Sequence, residues 1–167
     1  MTKWFNTDGR LGMQAITETD ATATHALGTV VRAKDAAGTF GEGEFIYLEG
    51  VANTVVGSAV TYDASFQTAL APVGSNLPRA VAFAMSANVA GQYGWYQIGG
   101  IAVAAKAVGT SLAANAAIGV KTIGLVAASG SGKEVQGALV AAVASAKSDV
   151  STVKLMIDRP RMQGRIT

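Results

Sequence analysis

The segment that most resembles a chemical motif is residues 129–133, Ser-Gly-Ser-Gly-Lys, which reads like the end of a phosphate-binding loop. That motif also needs a glycine five positions before its last glycine, and a serine or threonine directly after the lysine. Here those positions hold Ala127 and Glu134. Ala127 removes the turn that aims backbone N–H groups at phosphate, and Glu134 puts a carboxylate where a magnesium-binding hydroxyl belongs. We therefore predict a polar hairpin turn between Val126 and Val135.

His25 is the single histidine of the chain. A general acid–base pair or a catalytic triad built on it would need an orienting carboxylate. Glu18 and Asp20 are near His25 along the chain, but the surrounding segment is polar, Thr-rich and without strand or helix period. We expect an exposed histidine without a catalytic role.

The densest acidic group consists of Glu42, Glu44 and Glu49. Glu42 and Glu44 would share one face of a strand and could hold a cation, although a solvated face or a salt bridge to a neighbouring subunit is favoured. The chain has no cysteine, which excludes disulfides, thiolate chemistry and Cys-rich zinc sites. We predict that the protein is not an enzyme and has no catalytic residue, metal site or cofactor.

Trp95 and Tyr96 are adjacent aromatic residues, which raises the question of a sugar-binding platform. Neighbouring positions of a strand face opposite ways, so these two rings cannot form one flat surface. We interpret them as anchors of a core or an interface.

The composition of the chain suits a protein that is partly covered by partners. Among 167 residues there are 32 Ala and 20 Gly, and only 14% of residues are charged. A soluble domain typically has about 25% charged residues. A net charge of +2 without a basic stripe argues against a nucleic-acid partner. The apolar run 98–105 is far shorter than the ~20 residues of a membrane helix, and residues 1–6 lack a signal-peptide core, so we expect no membrane partner.

The region from residue 28 onward has the pattern of short β-strands. In segment 79–86, Val81, Phe83 and Met85 alternate with alanines, which places the large side chains on one face. We expect that face to fill the core together with Leu139 and Val143. The small face is a candidate for contact with another sheet or subunit, and its residues are Ala80, Ala82 and Ala84.

Similar short segments recur at an offset of about 58 residues. For example, segment 57–63 is similar to segment 115–121, and segment 80–87 is similar to segment 137–145. We infer a weak internal duplication, and we predict an all-β fold: a small barrel or sandwich, jelly-roll-like, over residues 28–158.

Two terminal segments differ from this patterned region. We predict that residues 1–27 form an extended N-terminal arm, with disorder as the alternative. We predict that residues 159–167 form a C-terminal arm, because Pro160 opposes regular strand pairing. Both arms carry side chains suited to protein contacts. The arm residues that we predict to lie in an interface are Trp4, Phe5, Arg159, Arg161 and Arg165.

Several short segments resemble segments of tailed-bacteriophage capsid decoration proteins, which are also called cement or head-stabilisation proteins. They are 41–51 (GEGEFIYLEGV), 60–63 (VTYD), 80–87 (AVAFAMSA) and 94–100 (GWYQIGG), together with the later Ala/Gly/Val-rich repeats. The resemblance is limited to local composition and short segments over about residues 28–158, and it contains no catalytic motif.

The resemblance implies a structural virion protein on the outer surface of the capsid, made in the host cytoplasm. Its expected partners are the major capsid protein, which it would bridge between capsomers, and itself as a homo-oligomer, with a trimer favoured over a dimer. The first alternative is a tail, baseplate or fibre-base component. A secreted carbohydrate-binding module and a cryptic hydrolase are less favoured, because a signal peptide, an aromatic platform and a catalytic constellation are not seen in the sequence.

Overall fold

The computed structural model describes residues 3–9 and 12–165; positions 1, 2, 10, 11, 166 and 167 of the two predicted arms lie outside the described residues. The described residues contain no α-helix and form one mixed sheet, which confirms the predicted all-β fold class. In this part of the chain no helix has the length and apolarity needed to cross a membrane. The strands are β1 (Trp4–Asn6), β2 (Thr19–Asp20), β3 (Val30–Asp35), β4 (Glu42–Glu49), β5 (Ala59–Tyr62), β6 (Thr68–Leu70), β7 (Ala80–Ala84), β8 (Tyr93–Lys106), β9 (Ala117–Thr122), β10 (Leu125–Ala128), β11 (Glu134–Val140) and β12 (Ser151–Met162).

Five strands close into a ring. In the sheet β8, β10, β9, β11 and β12 follow one another, and β12 also pairs with β8 along residues 151–158. The contact between β8 and β10 is a single parallel bridge from Lys106 to Val126, so the ring is closed weakly at that point. The first half of β8 leaves the ring and pairs with β4 and β7 instead.

The largest apolar core contains side chains from the ring strands together with residues of β5 and β7. Phe83 is 1% exposed and Leu155 is 0% exposed in this core. A second cluster, which includes Tyr96, lies on the other face of β7 and β8, and a third surrounds Trp95. Trp95 and Tyr96 therefore point to opposite faces, as predicted, and both are fully buried.

The chain from β5 to β8 has the same pairing scheme as the chain from β9 to β12. In the first half β5 pairs with β6 and β7, and β7 pairs with β8. In the second half β9 pairs with β10 and β11, and β11 pairs with β12. Each long strand contains one left-handed residue near its middle or end, Gly100 with φ +94° in β8 and Arg159 with φ +39° in β12. This agreement supports the predicted internal duplication.

The prediction of an extended N-terminal arm is wrong for the described residues, because this segment folds onto the sheet. β1 pairs with β3, and Thr19 and Asp20 pair with β8. Ile16 is 4% exposed, and Gln14 is 9% exposed. The Gln14 side chain donates to the carbonyl oxygens of Glu18 and Tyr93, so scattered polar contacts hold a segment that has no apolar period.

The predicted start of a C-terminal arm at Arg159 is also wrong, since β12 continues to Met162. Arg161 pairs with Gln136 of β11 and with Ala80 of β7. The register shifts between Gln136 and Ala138, opposite the positions around Pro160. The shift places three residues of β12, 158–160, opposite Gly137 alone, so a proline without an N–H group is accommodated in this bulge.

Two further predictions about the second half are corrected by the sheet. Leu139 is 39% exposed and Val143 is 73% exposed, whereas the core position of β11 is Val140 at 0%. The turn at residues 129–133 joins β10 to β11, but these strands lie on either side of β9 and do not form a hairpin. The Ser-Gly-Ser-Gly-Lys segment thus passes over the end of β9, where the carbonyl oxygen of Lys133 lies beside Gly119.

Candidate protein-binding groove

Three of the predicted interface residues come together where β5, β7 and the end of β12 lie side by side. Ala80 is the register partner of Tyr62 on one side and of Arg161 on the other. Register partners point to the same face of a sheet, so these side chains form one row. The alanine at its centre is small, and the row is therefore a depression between an aromatic ring and a guanidinium.

This depression, here called the arginine groove, has a volume of about 320 Å³. It is lined by Tyr62, Pro78, Arg79, Ala80, Arg159, Pro160 and Arg161. A wider depression along β5 and β6, of about 760 Å³, shares Tyr62, Arg79 and Ala80 with it. On the other side a depression of about 470 Å³ shares Arg159 and contains Glu44. The three form one continuous surface with the arginine groove in the middle.

Two of the three groove arginines, Arg159 and Arg161, are oriented by neighbouring acceptors. The Arg159 guanidinium donates to Glu44 Oε2 over 3.0 Å, and the other oxygen of Glu44 accepts from Arg32 at 3.0 and 3.2 Å. Arg161 Nε donates to Gln136 Oε1 over 3.2 Å. The side chain of Arg159 is still 64% exposed, so most of its guanidinium faces solvent. An arginine that is held at one end and exposed at the other presents its remaining N–H groups in a fixed plane.

Tyr62 adds a neutral donor to the groove. Burial raises the pKa of its hydroxyl, and the positive charge of Arg159 acts in the opposite direction. The net pKa lies above the ordinary value for tyrosine, so the hydroxyl keeps its proton at neutral pH. Tyrosine and arginine are the residue types that most often dominate protein–protein contacts.

The remaining predicted interface residues are placed elsewhere. Ala82 and Ala84 are 0% and 2% exposed, because the second apolar cluster covers the alanine face of β7 within the chain. They are not available to a second subunit, and that prediction is wrong. Arg165 is exposed beyond the end of β12.

Trp4 and Phe5 are separated by the pleat of β1. The Trp4 ring packs edge-on against Phe45 at 5.0 Å and lies 6.4 Å from Phe40, so it is used inside the chain. Phe5 points outward with 46% of its surface exposed, and the ammonium group of Lys3 lies 5.3 Å from its ring. Phe5 is therefore the more exposed residue of this pair, and Trp4 is partly buried.

His25 is not the exposed side chain that the sequence suggested. Its ring lies 5.1 Å from Tyr47 and 5.4 Å from Trp95, and its Nε2 accepts a hydrogen bond from the backbone N–H of Gln14. This contact fixes the segment around residue 14 against the third apolar cluster. Glu44 forms its salt bridges within its own chain, and no group of three or more potential metal ligands occurs among the residues that the structure describes.

Tyr62 and Arg79 are groove residues that the sequence analysis missed. Arg79 directly precedes the alternating segment, and Tyr62 ends a segment with strong β-propensity, so the sequence pattern places both residues next to or at a strand end. Their proximity depends on the pairing of β5 with β7 and of β7 with β12, which local patterns do not specify.

Comparison of the chain with protein-family models, with curated proteins and with solved structures found no match. The fold and the groove therefore define the class only as an all-β protein with an arginine-lined surface depression.

Proposed function

We propose that the protein is a structural virion protein that binds the outer surface of a tailed-phage capsid and stabilises it by bridging capsomers. The observation that carries the proposal is the arginine groove, in which Tyr62, Ala80 and Arg161 form one row beside Arg79 and Arg159. The matching surface is an acidic loop of the major capsid protein that inserts Asp or Glu side chains into the groove.

The chemistry of the groove favours a carboxylate-bearing protein partner. Guanidinium groups bind carboxylates through two parallel hydrogen bonds, which gives directional recognition. Within the chain, the Glu44 carboxylate already bridges two guanidinium groups, since Arg32 donates from Nε and Nη2 to Oε1 and Arg159 donates to Oε2. An acidic side chain of a partner would bind Arg79 and Arg161 in the same way, with the Tyr62 hydroxyl as an additional donor.

The low charge content and the sheet architecture also support a structural role. Only 14% of the residues are charged, and the described residues include eleven large hydrophobic side chains that are exposed. Surfaces of this kind mark sites of protein contact when they are contiguous. A tail or baseplate component would share these properties, so the two functions must be separated by binding.

The experiment is cosedimentation of the protein with empty heads of the virus that encodes it, and separately with purified tails. Arg79→Glu combined with Arg161→Glu reverses two charges in the groove without touching the Glu44 salt bridges. We expect at least a tenfold loss of head binding, because each charged pair broken at an interface costs roughly 2 kcal/mol or more. The matched control is Lys121→Glu, an exposed charge reversal on β9 outside the groove.

Ala80→Phe tests the groove without changing charge, since the ring would fill the depression between Tyr62 and Arg161. Head binding should fall while the melting temperature stays close to that of the parent protein. Binding to tails instead of heads would transfer the proposal to the tail component. Unchanged head binding of both variants would show that the groove is not the contact.

A further inference from the structure

The outer face of β12 carries a regular pattern that the arginine groove does not use. Along this strand Val153, Leu155 and Ile157 point into the core, and the residues between them point outward. The outward side chains are all exposed, and in order they are Thr152, Lys154, Met156 and Asp158. An apolar side chain thus lies midway between a positive and a negative one.

Met156 is the centre of an apolar row that crosses three strands. Its register partners are Leu139 of β11 and Ile101 of β8. Met156 is 51% exposed, Leu139 is 39% exposed and Ile101 is half-buried. Exposed apolar side chains side by side on one sheet face are a surface that association with another sheet would bury.

The charges on the two sides of this row have opposite sign. Lys154 lies beside Lys147 in a shallow depression of the surface at one end. Asp158 lies beside Glu42 and Glu44 at the other end, in the depression that also contains Arg32 and Arg159. Lys154 and Asp158 are four residues apart on one strand, which corresponds to roughly 13 Å.

We propose that this face, defined by Leu139, Met156, Ile101, Lys154 and Asp158, binds the same face of a second copy of the chain. A twofold axis that lies between the two faces and runs across the strands places Met156 against the partner's Met156. The same axis reverses the strand direction, so Lys154 meets the partner's Asp158 and Asp158 meets the partner's Lys154. Both ion pairs follow from one symmetry operation, as an isologous dimer requires.

The pattern selects this axis over the other twofold arrangement. An axis parallel to β12 would place Lys154 against the partner's Lys154 and Asp158 against the partner's Asp158, and like charges at an interface are unfavourable. Lys154 is already oriented within the chain, since its ammonium group lies 5.0 Å from the centre of the Phe40 ring. The alanine face that the sequence offered as a subunit contact is buried at Ala82 and Ala84, and the β12 face predicts a dimer instead of the expected trimer.

The first test is sedimentation velocity of the full chain over a concentration series, with the variants Lys154→Asp, Asp158→Lys and both together. Each single change turns both ion pairs of the dimer into like-charge contacts, so the dissociation constant should rise about tenfold or more. The double variant exchanges the two charges within one chain and restores both pairs, so its dissociation constant should return to near the parent value. Lys121→Asp, on β9, is the matched control and should leave the dimer intact.

The second test mixes the two single variants. Lys154→Asp chains carry two negative charges on this face and Asp158→Lys chains carry two positive charges. The mixture should therefore form heterodimers at concentrations at which each variant alone is mostly monomeric. Melting curves of each variant verify that the fold is retained. A parent protein that stays monomeric at the highest concentration, or a double variant as weak as the single ones, would overturn the proposal. The outcome is independent of capsid binding, because no head or tail is present in either test.

Discussion

Replacing Phe83 with alanine is the most direct test of the central core. Phe83 lies in the middle of β7, is 1% exposed and packs in the largest apolar cluster. Fully burying a side chain of this size contributes about 1.5–3 kcal/mol through removal from water. The cavity left after truncation adds to that loss, and a buried phenylalanine typically costs about 3–5 kcal/mol when it is changed to alanine.

The neighbours of Phe83 favour the upper part of that range. Five buried alanines, Ala59, Ala71, Ala102, Ala104 and Ala138, belong to the same cluster. Their side chains are too short to move into the space that the ring leaves. The cavity would therefore stay open, and the cost of an open cavity rises with its volume.

The assay is urea unfolding of the parent protein, Phe83→Ala and the control Val143→Ala, with the slope of each transition compared. Val143 is 73% exposed, so its truncation should change the free energy of unfolding by less than about 0.5 kcal/mol. A loss below about 1 kcal/mol for Phe83→Ala would refute the assignment of this face of β7 to the core.

Three further predictions concern individual side chains. Burial opposes ionisation of Asp35, but hydrogen bonds from three backbone N–H groups between residues 37 and 40 lower its pKa. The stabilising contribution of the ionised carboxylate should be complete above the ordinary pKa of about 3.9 and lost as the pH falls through the lower folded value. In an acid titration followed by circular dichroism, Asp35→Asn should therefore show a shallower loss of stability than the parent protein. Gly50→Ala should destabilise the fold by at least about 1 kcal/mol in thermal unfolding, because a β-carbon there would clash with the backbone carbonyl oxygen of Asn88; an unchanged melting temperature would contradict this. Burial raises the pKa of Tyr96, and hydrogen bonds to its hydroxyl act in the opposite direction but do not cancel the effect. The stabilising contribution of the protonated hydroxyl should hold below pH ~10 and be lost as the pH rises through the folded value. In an ultraviolet titration, Tyr96→Phe should remove one late-ionising tyrosine, and a titration curve that keeps this tyrosine would contradict the assignment.

Strand faces could be predicted from the sequence where large and small side chains alternate without interruption. The segment of β12 has Val153, Leu155 and Ile157 inside, as its period of two requires. In β11 apolar residues occupy both faces, since Ala138, Leu139 and Val140 are consecutive, and the local pattern does not fix which face is buried. The structure buries Ala138 and Val140, one position away from the predicted choice.

The N-terminal segment was mispredicted for a different reason. Its attachment depends on single side chains such as Trp4, Gln14 and His25, each of which contacts a strand that is distant in the sequence. Such contacts produce no periodic signal, and the polar composition by itself indicates an arm. The sequence predicts Ala80, Arg159 and Arg161 as interface residues, but their common location depends on the pairing of β7 with β12, which the sequence pattern does not specify.

The matching halves of the chain have a consequence for how the molecule can fold. The strand that ends the second half, β12, pairs with β8 and β7 of the first half as well as with its own β11. A fragment that ends before residue 110 would therefore contain β8 without β12, which pairs along its second half. A fragment that begins at residue 110 would contain β12 without β8 and β7. The two halves are interlocked and not stacked side by side. Each half by itself would lack one side of the ring, so a half-length form of this sequence would need a second copy to close it.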